Sequence, residues 1–223
     1  MCGICGEIRF DDKAVAPDVL HRMTTKMINR GPDASGIFTQ QAIGLGDRRL
    51  KIIDLSTKAQ QPMLDAELGM AIVYNGAIYN YRELREELVK LGYRFFSSGD
   101  TEVILKAYHA WGRQCVQRFN GMFAFAIWER DSGRLLLARD RLGIKPLYLA
   151  DVAGALRFAS SLPALVATGG LDTRIDPIAL HQYLSFHAVV PAPRTILQGV
   201  RKLPPATTML IEPDGRKQTE TYW

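Results

Sequence analysis

Cys2, directly behind Met1, sets a thiol one residue from the start of the chain, and removal of Met1 leaves that residue with both the thiol and a free α-amine. Such a nucleophile has its base built in. An α-amine with a reference pKa of roughly 7.7 to 8.0 keeps an appreciable neutral fraction near pH 7 to accept the thiol proton. No catalytic histidine is then required, and the four histidines, at positions 21, 109, 181 and 187, sit in no recognisable Cys-protease setting. Two blander readings stay open on these residues alone. Cys2 can be incidental, or Cys2 and Cys5 can form a C-x-x-C pair for redox chemistry or half a zinc site. The pair opens a strand instead of following one at a helix start, and there is no second Cys pair, so no metal site is expected.

The elements that must position Cys2 can be sketched from periodicity. Alternation over Gly3 to Phe10 predicts a β-strand beginning beside the thiol, and Pro17 opens a helix with Leu20, Met23 and Met27 on one face. Arg30-Gly31-Pro32-Asp33 breaks that helix into a loop. Ala42 to Arg49 and Met70 to Tyr74 read as strands. Asn80 is the expected N-cap of a helix carrying Leu84, Leu88 and Leu91 on one face. A second helix follows Asp100-Thr101, with Ile104, Ala107, Tyr108 and Trp111 at helical spacing, and Gly112 ends it. Period two returns from Met122 to Ile127, turns at Asp131-Ser132-Gly133 and comes back over Arg134 to Arg139. Short strands are expected at Pro146 to Ala150 and Leu156 to Ala159, then a helix from Asp176 and a hairpin turning at Pro213-Asp214-Gly215. Phe186 to Thr207 reads as irregular extended chain. Strands grouped with a few helices, without βαβ alternation, indicate an α+β fold of antiparallel sheets covered by helices.

The chain's 223 residues allow one domain with a sizeable core, and 47% apolar with 23% charged residues is the composition of an ordinary globular protein. The net charge of +5 is spread along the chain and interleaved with acids, which argues for a solvated surface and against nucleic-acid binding. No apolar run reaches the ~18 residues that span a bilayer, and no signal-peptide pattern opens the chain. With three scattered cysteines and no disulfide framework, a cytoplasmic setting is expected and no membrane partner.

Taken one by one, the remaining polar motifs are ambiguous. Arg49 can be a surface residue at a strand end, Asn75-Gly76 a tight turn, and Asp100 a helix cap. Their joint order is informative: Met1-Cys2-Gly3-Ile4, Arg30-Gly31-Pro32-Asp33, Arg48-Arg49-Leu50, Tyr74-Asn75-Gly76, Ile78-Tyr79-Asn80 and Ser98-Gly99-Asp100-Thr101-Glu102. Asp140 to Tyr148 and Phe158-Ala159-Ser160 follow. This series resembles class II glutamine amidotransferases, and specifically the N-terminal half of asparagine synthetases, over essentially the whole chain. The wording of Ile104 to Trp111, Phe186 to Leu197 and Val200 to Thr207 is most similar to bacterial N-acetylglutaminylglutamine amidotransferases.

The resemblance implies a four-layer αββα sandwich, the N-terminal nucleophile hydrolase architecture, with residues 1–223 forming one glutaminase domain. It implies Cys2 as nucleophile and α-amino base, and the Asn75 side chain with the Gly76 N–H as oxyanion hole. Arg49 would grip the α-carboxylate of glutamine, and Asp100, with Gly99 beside it, the α-ammonium. Arg30 and Asp33 would brace the surrounding loop. No cofactor is implied in this domain; ATP and Mg are expected only in a synthetase domain, absent here, that would receive the ammonia in cis or in trans. A homodimer is left open. Thr168-Gly169-Gly170-Leu171-Asp172-Thr173 looks like a pyrophosphate-binding loop, but the Pro-rich remainder lacks the α/β domain such a loop needs, so it reads as a helix stop and turn.

The chain also departs from the family wording. Ala77 stands where many relatives carry Glu, Asn29 and Asp47 replace His, and Ser161 replaces Glu. Ala77 keeps a second reading open, a domain that retains the fold for binding or regulation. An N-terminal-Cys hydrolase of another amide is a third.

Overall fold

The computed structural model describes residues 1–223. Its elements are, in chain order, β1 (Gly3–Arg9), α1 (Pro17–Thr25), β2 (Ala34–Gln40), β3 (Ile43–Arg49), β4 (Met63–Asp65), β5 (Met70–Ile78), α2 (Tyr81–Lys90), α3 (Asp100–Trp111) and α4 (Cys115–Arg118). There follow β6 (Gly121–Glu129), β7 (Leu135–Arg139), β8 (Tyr148–Val152), β9 (Ala155–Ala159), α5 (Leu162–Val166), α6 (Pro177–Ser185), β10 (Arg201–Lys202), β11 (Thr207–Ile211) and β12 (Lys217–Thr221).

Two six-stranded antiparallel sheets stack face to face. One has the order β10-β8-β9-β1-β3-β2, the other β12-β11-β7-β6-β5-β4. Strand alternation sends successive side chains to opposite faces, and the core divides accordingly into three apolar layers. Ile4, Ile8, Leu45, Val73, Ala124 and Ala126 fill the layer between the sheets. Phe123, Phe125 and Ile127 turn the other way, onto Leu84 and Leu88 of α2 and Val103, Ile104 and Ala107 of α3. Cys5 and Ala159 pack under Leu20 and Met23 of α1 and Leu165 of α5. Helices, two sheets and helices again make the expected four-layer αββα architecture.

Several local expectations need correction. The strand expected to end at Tyr74 continues to Ile78, because it pairs with β6 along its whole length, Asn75 opposite Ala124 and Gly76 opposite Phe123. Asn75-Gly76 is therefore strand and not a turn. Asn80 stands at the N-cap position of α2 but does not cap it: its amide donates to the Arg118 carbonyl and accepts from the Asn120 N–H, tying two loops together. Leu91 lies beyond the last turn of α2 and is 60% exposed, so only Leu84 and Leu88 reach the core. Strands β2 and β4 and the short helix α5 carried no readable period. Asp176 does cap α6, accepting from the Ile178 and Ala179 N–H groups. Val166 ends α5, after which Thr168 Oγ1 donates to the Leu165 carbonyl and Gly169 and Gly170 adopt positive φ, a helix stop and turn.

Candidate functional site

Cys2 lies just before β1, and alternation from Ile4 points its side chain into the space between the sheets, whereas Cys5 points the opposite way into the layer under α1. The two sulfurs of the C-x-x-C motif thus sit on opposite faces of the strand. The Cys2 thiol lies 3.7 Å from the Leu50 carbonyl, to which it donates, and its sulfur accepts from the Leu50 N–H at 3.4 Å. Burial and the nearby Asp47 carboxyl push this thiol up from its ordinary pKa, against the smaller opposing pull of the Leu50 N–H, the N-terminal ammonium and Arg49. A thiol in that state stays protonated near neutrality and needs a base.

Around it opens a cleft of about 170 Å³ whose lining includes Met1, Cys2, Arg49, Asn75, Gly76, Ala77, Gly99 and Asp100. Sequence-distant candidates are brought together here by the sheets. β3 delivers Arg49 at its end, β5 delivers Asn75 and Gly76, and the first residue of α3 is Asp100. Arg30 and Asp33 lie just outside the lining. Arg30 donates from Nε to the Cys2 carbonyl at 3.1 Å. The Asn75 amide, oriented so that both ends find partners, donates to the same carbonyl at 3.2 Å and accepts from Arg30 Nη2 at 3.3 Å. Asp33 accepts from the Lys51 N–H at 2.8 Å and so fixes the chain leaving β3.

The free edge of β5 explains how Gly76 reaches the cleft. β4 pairs with β5 only as far as Ile72, so beyond it every second N–H of β5 points away from β6 toward the cleft. The Tyr74 N–H donates to the Gln61 side chain and the Ile78 N–H to Asp100 Oδ2 at 3.0 Å. The Gly76 N–H lies between them on the same edge. A side chain at Gly76 is excluded, since its Cβ would stand 2.2 Å from the Met122 carbonyl oxygen.

Arg49 is 5% exposed and already holds two carbonyls, donating from Nη1 to Ser56 at 3.0 Å and from Nη2 to Asp54. Three of its five N–H groups remain for a ligand. Asp100 spends Oδ2 on the Tyr74 hydroxyl (2.7 Å) and the Ile78 N–H. Burial raises its pKa despite those hydrogen bonds. A cationic ligand in the cleft would restore its charge.

Other residues at the site escaped the sequence reading. Lys145, 2% exposed, lines the cleft with its Nζ 2.6 Å from Met1 Sδ, and burial beside Arg30 lowers its pKa, against the raising pull of Asp140 and Cys2. Asp140 presents it, accepting from the Phe123, Leu142, Ile144 and Lys145 N–H groups. Tyr74 reads only as a strand end within a motif, and Gln61 carries no local signal. Of the departures from the family wording, Ala77 leaves its part of the cleft without a carboxylate. Asp47 is fully buried with neither carboxyl oxygen hydrogen-bonded, and burial holds its pKa well above the usual range.

With this geometry established, comparison with known proteins identifies its kin. The family described as "Glutamine amidotransferase domain" matches residues 1–223. Asparagine synthetase (glutamine-hydrolysing) 1 of Bacillus subtilis is 39% identical over 226 aligned residues, covering 100% of this chain and 35% of that protein. A putative asparagine synthetase (glutamine-hydrolysing) 2 of Methanocaldococcus jannaschii is 38% identical, covering 100% and 46%. Among solved structures, the B. subtilis glutamine phosphoribosylpyrophosphate amidotransferase complexed with ADP and GMP superposes with a TM-score of 0.71 at 17% identity, over 100% of this chain and 49% of that one, a likeness of fold. The chain spans about a third of the length of the Bacillus relative. No helix is long and apolar enough to cross a membrane.

Proposed function

Since the chain belongs to the glutamine amidotransferase domain family, we propose that its cleft binds glutamine and hydrolyses the side-chain amide to glutamate and ammonia through a thioester on Cys2. The observation that carries this reading is the convergence of Cys2, Arg49, Asn75, Gly76 and Asp100 on one cleft from separate elements. The unused N–H groups of Arg49 hold the α-carboxylate as a fork. Asp100 offers its carboxyl to the α-ammonium. Held at those two points, glutamine extends its amide toward Cys2.

Removal of Met1 supplies the missing base. The Cys2 α-amine takes the thiol proton as sulfur bonds to the amide carbon, and the carbonyl electron pair moves onto oxygen. Asn75 Nδ2 and the Gly76 N–H are the donors for that oxyanion, set in a buried site where such dipoles act strongly. Collapse of the tetrahedral adduct expels ammonia, which carries away the proton held by the amine. Water then adds to the thioester with the amine again as base, releasing glutamate and restoring the thiol.

The relatives' extra length supports a synthetase portion outside this chain, in cis or in trans, that uses ATP and Mg²⁺ and consumes the ammonia; N-acetylglutaminylglutamine is the acceptor we favour from the wording of Ile104 to Trp111 and Phe186 to Leu197. The glutaminase portion itself needs no cofactor for the steps above. Three unpaired cysteines fit a reducing, cytoplasmic setting.

The test is ammonia release from glutamine by the purified chain with a verified Cys2 N-terminus. Release is expected with glutamine, not with asparagine, and is lost in Cys2→Ala. Equal release from asparagine, or release that survives Cys2→Ala, would sink the reading.

A further inference from the structure

The loop after β3 is exposed from Ile52 to Lys58 except at one residue, Asp54, which is 7% exposed. Asp54 touches both halves of the proposed amino-acid site. Its backbone carbonyl accepts from Arg49 Nη2. Its carboxylate reaches across the cleft to the segment before α3, where Oδ2 accepts from the Ser98 N–H and from Ser98 Oγ, both at 2.9 Å. Oδ1 turns back to the Ser56 N–H at 2.8 Å, and the Ser56 carbonyl is the second acceptor for Arg49. Gly99 presses on the same residue: a Cβ there would lie 3.3 Å from the Asp54 Cβ. One residue therefore links Arg49, through its backbone carbonyl, to Ser98, through its carboxylate, and Ser98 leads along the chain through Gly99 to Asp100.

We propose that Asp54 is a positioning residue that sets the spacing between Arg49 and Asp100, and through it the site's selectivity for the L-α-amino-acid head group of its substrate. The inference rests on the glutaminase reading above and deepens it. Recognition of a stereocentre needs three fixed points, here the carboxylate partner, the ammonium partner and the direction of the side chain toward Cys2, and each charged contact loses strength as the first two drift apart. Arg49 and Asp100 belong to different layers of the fold, β3 in one sheet and α3 packed on the other. Asp54 ties them through its carbonyl on Arg49 and its carboxylate on Ser98, two residues before Asp100. Although burial opposes it, hydrogen bonds from Ser56 and Ser98 hold the Asp54 carboxyl below the usual carboxylate range, so the tie is ionised at neutral pH and its hydrogen bonds are charge-assisted.

The experiment measures binding by calorimetry, with Cys2→Ala as the parent so that no turnover occurs, using L-glutamine, D-glutamine and glutaramate, which lacks the ammonium. The parent is expected to prefer L-glutamine over both. Adding Asp54→Ala lowers L-glutamine affinity by about tenfold while the two weak ligands change little, so discrimination collapses. Asp54→Asn, which keeps one acceptor oxygen, falls between. Ser98→Ala, at an exposed position that leaves the fold intact, removes one contact and shifts discrimination the same way by a smaller factor. Retention of the parent's L-glutamine affinity and selectivity by folded Asp54→Ala, or by Ser98→Ala where Asp54→Ala does not fold, overturns the proposal alone. A parent that binds none of the three ligands overturns the amino-acid-site reading and this inference with it.

Discussion

The Arg30 guanidinium donates from Nε to the backbone carbonyl of Cys2 at 3.1 Å, so the main chain of the proposed nucleophile is held by a residue from the loop after α1. The same guanidinium reaches Asn75 Oδ1. A single planar fork thus sets the proposed nucleophile and oxyanion donor relative to each other from outside the cleft lining. Arg30→Met is expected to lower kcat by roughly 10²-fold with little change in KM, the size of effect a displacement near 1 Å produces. Arg30→Lys should not restore it, because one ammonium cannot reproduce both directed bonds. Steady-state kinetics on glutamine decide the matter, and a change confined to KM would move Arg30 into the substrate site.

Asn75 and Gly76 should separate into two kinds of defect. Asn75→Ala removes one proposed oxyanion donor and is expected to cost roughly 10²- to 10³-fold in kcat while melting normally. Gly76→Ala instead forces a Cβ to within 2.2 Å of the Met122 carbonyl, so β5 and β6 must part. Its cost is about 1–3 kcal/mol of stability, or roughly 2–12 °C in Tm. Thermal melts of both variants check this, and an unchanged Tm for Gly76→Ala would mean that the strands yield more easily than their packing indicates.

Cys2, Arg49, Asn75, Gly76, Gly99 and Asp100 could be named from motif order, and the fold class from alternation. What stayed hidden depended on tertiary partners. Asn75-Gly76 carries turn chemistry locally, and only pairing with β6 keeps it extended. Gln61 and Asp54 sit in a segment without period, so nothing local distinguishes them from their exposed neighbours, yet each satisfies a group on another element. β2 is an edge strand in which Ile37 and Phe38 stand side by side and no residue is fully buried, so it has no alternation to read. Lys145 was visible as part of a motif, but its burial beside Met1 follows from the Asp140 turn. Arg30 read as a loop brace, whereas its contacts fall on the Cys2 carbonyl and the Asn75 amide.

Asp47 makes a prediction about stability and pH. Its folded-state pKa lies well above the unfolded value of about 3.9. Between those two values the folded chain binds the proton and the unfolded chain does not, so stability falls as pH rises through that window. Asp47→Asn removes the titration while keeping the shape. Tm of the wild type should therefore drop more steeply from pH 4 toward neutrality than Tm of the variant. Asp100, raised by burial, and Asp54, lowered by its hydrogen bonds, titrate in both proteins and cancel in the difference. Parallel melting curves across pH would show that Asp47 is solvated in a way its burial does not allow.

Met1 lines the cleft, and while it is present the nitrogen of Cys2 is an amide without basicity. The thiol, its pKa raised chiefly by burial and then by Asp47, has no histidine to deprotonate it. Material that retains Met1 is therefore expected to fold normally and to lose roughly 10²- to 10⁴-fold in kcat/KM, the usual contribution of a positioned base. The two forms should differ in pH dependence as well as in rate. In the processed form the base must be neutral, so activity rises with pH and levels off above the amine pKa, roughly 7.7 to 8.0 if unperturbed. In the unprocessed form any residual activity must follow the raised thiol and continue to climb beyond that plateau. Intact-mass analysis assigns each preparation, and pH profiles of kcat/KM compare them. Equal activity in the two forms would remove the α-amine from the mechanism and require another base beside Cys2.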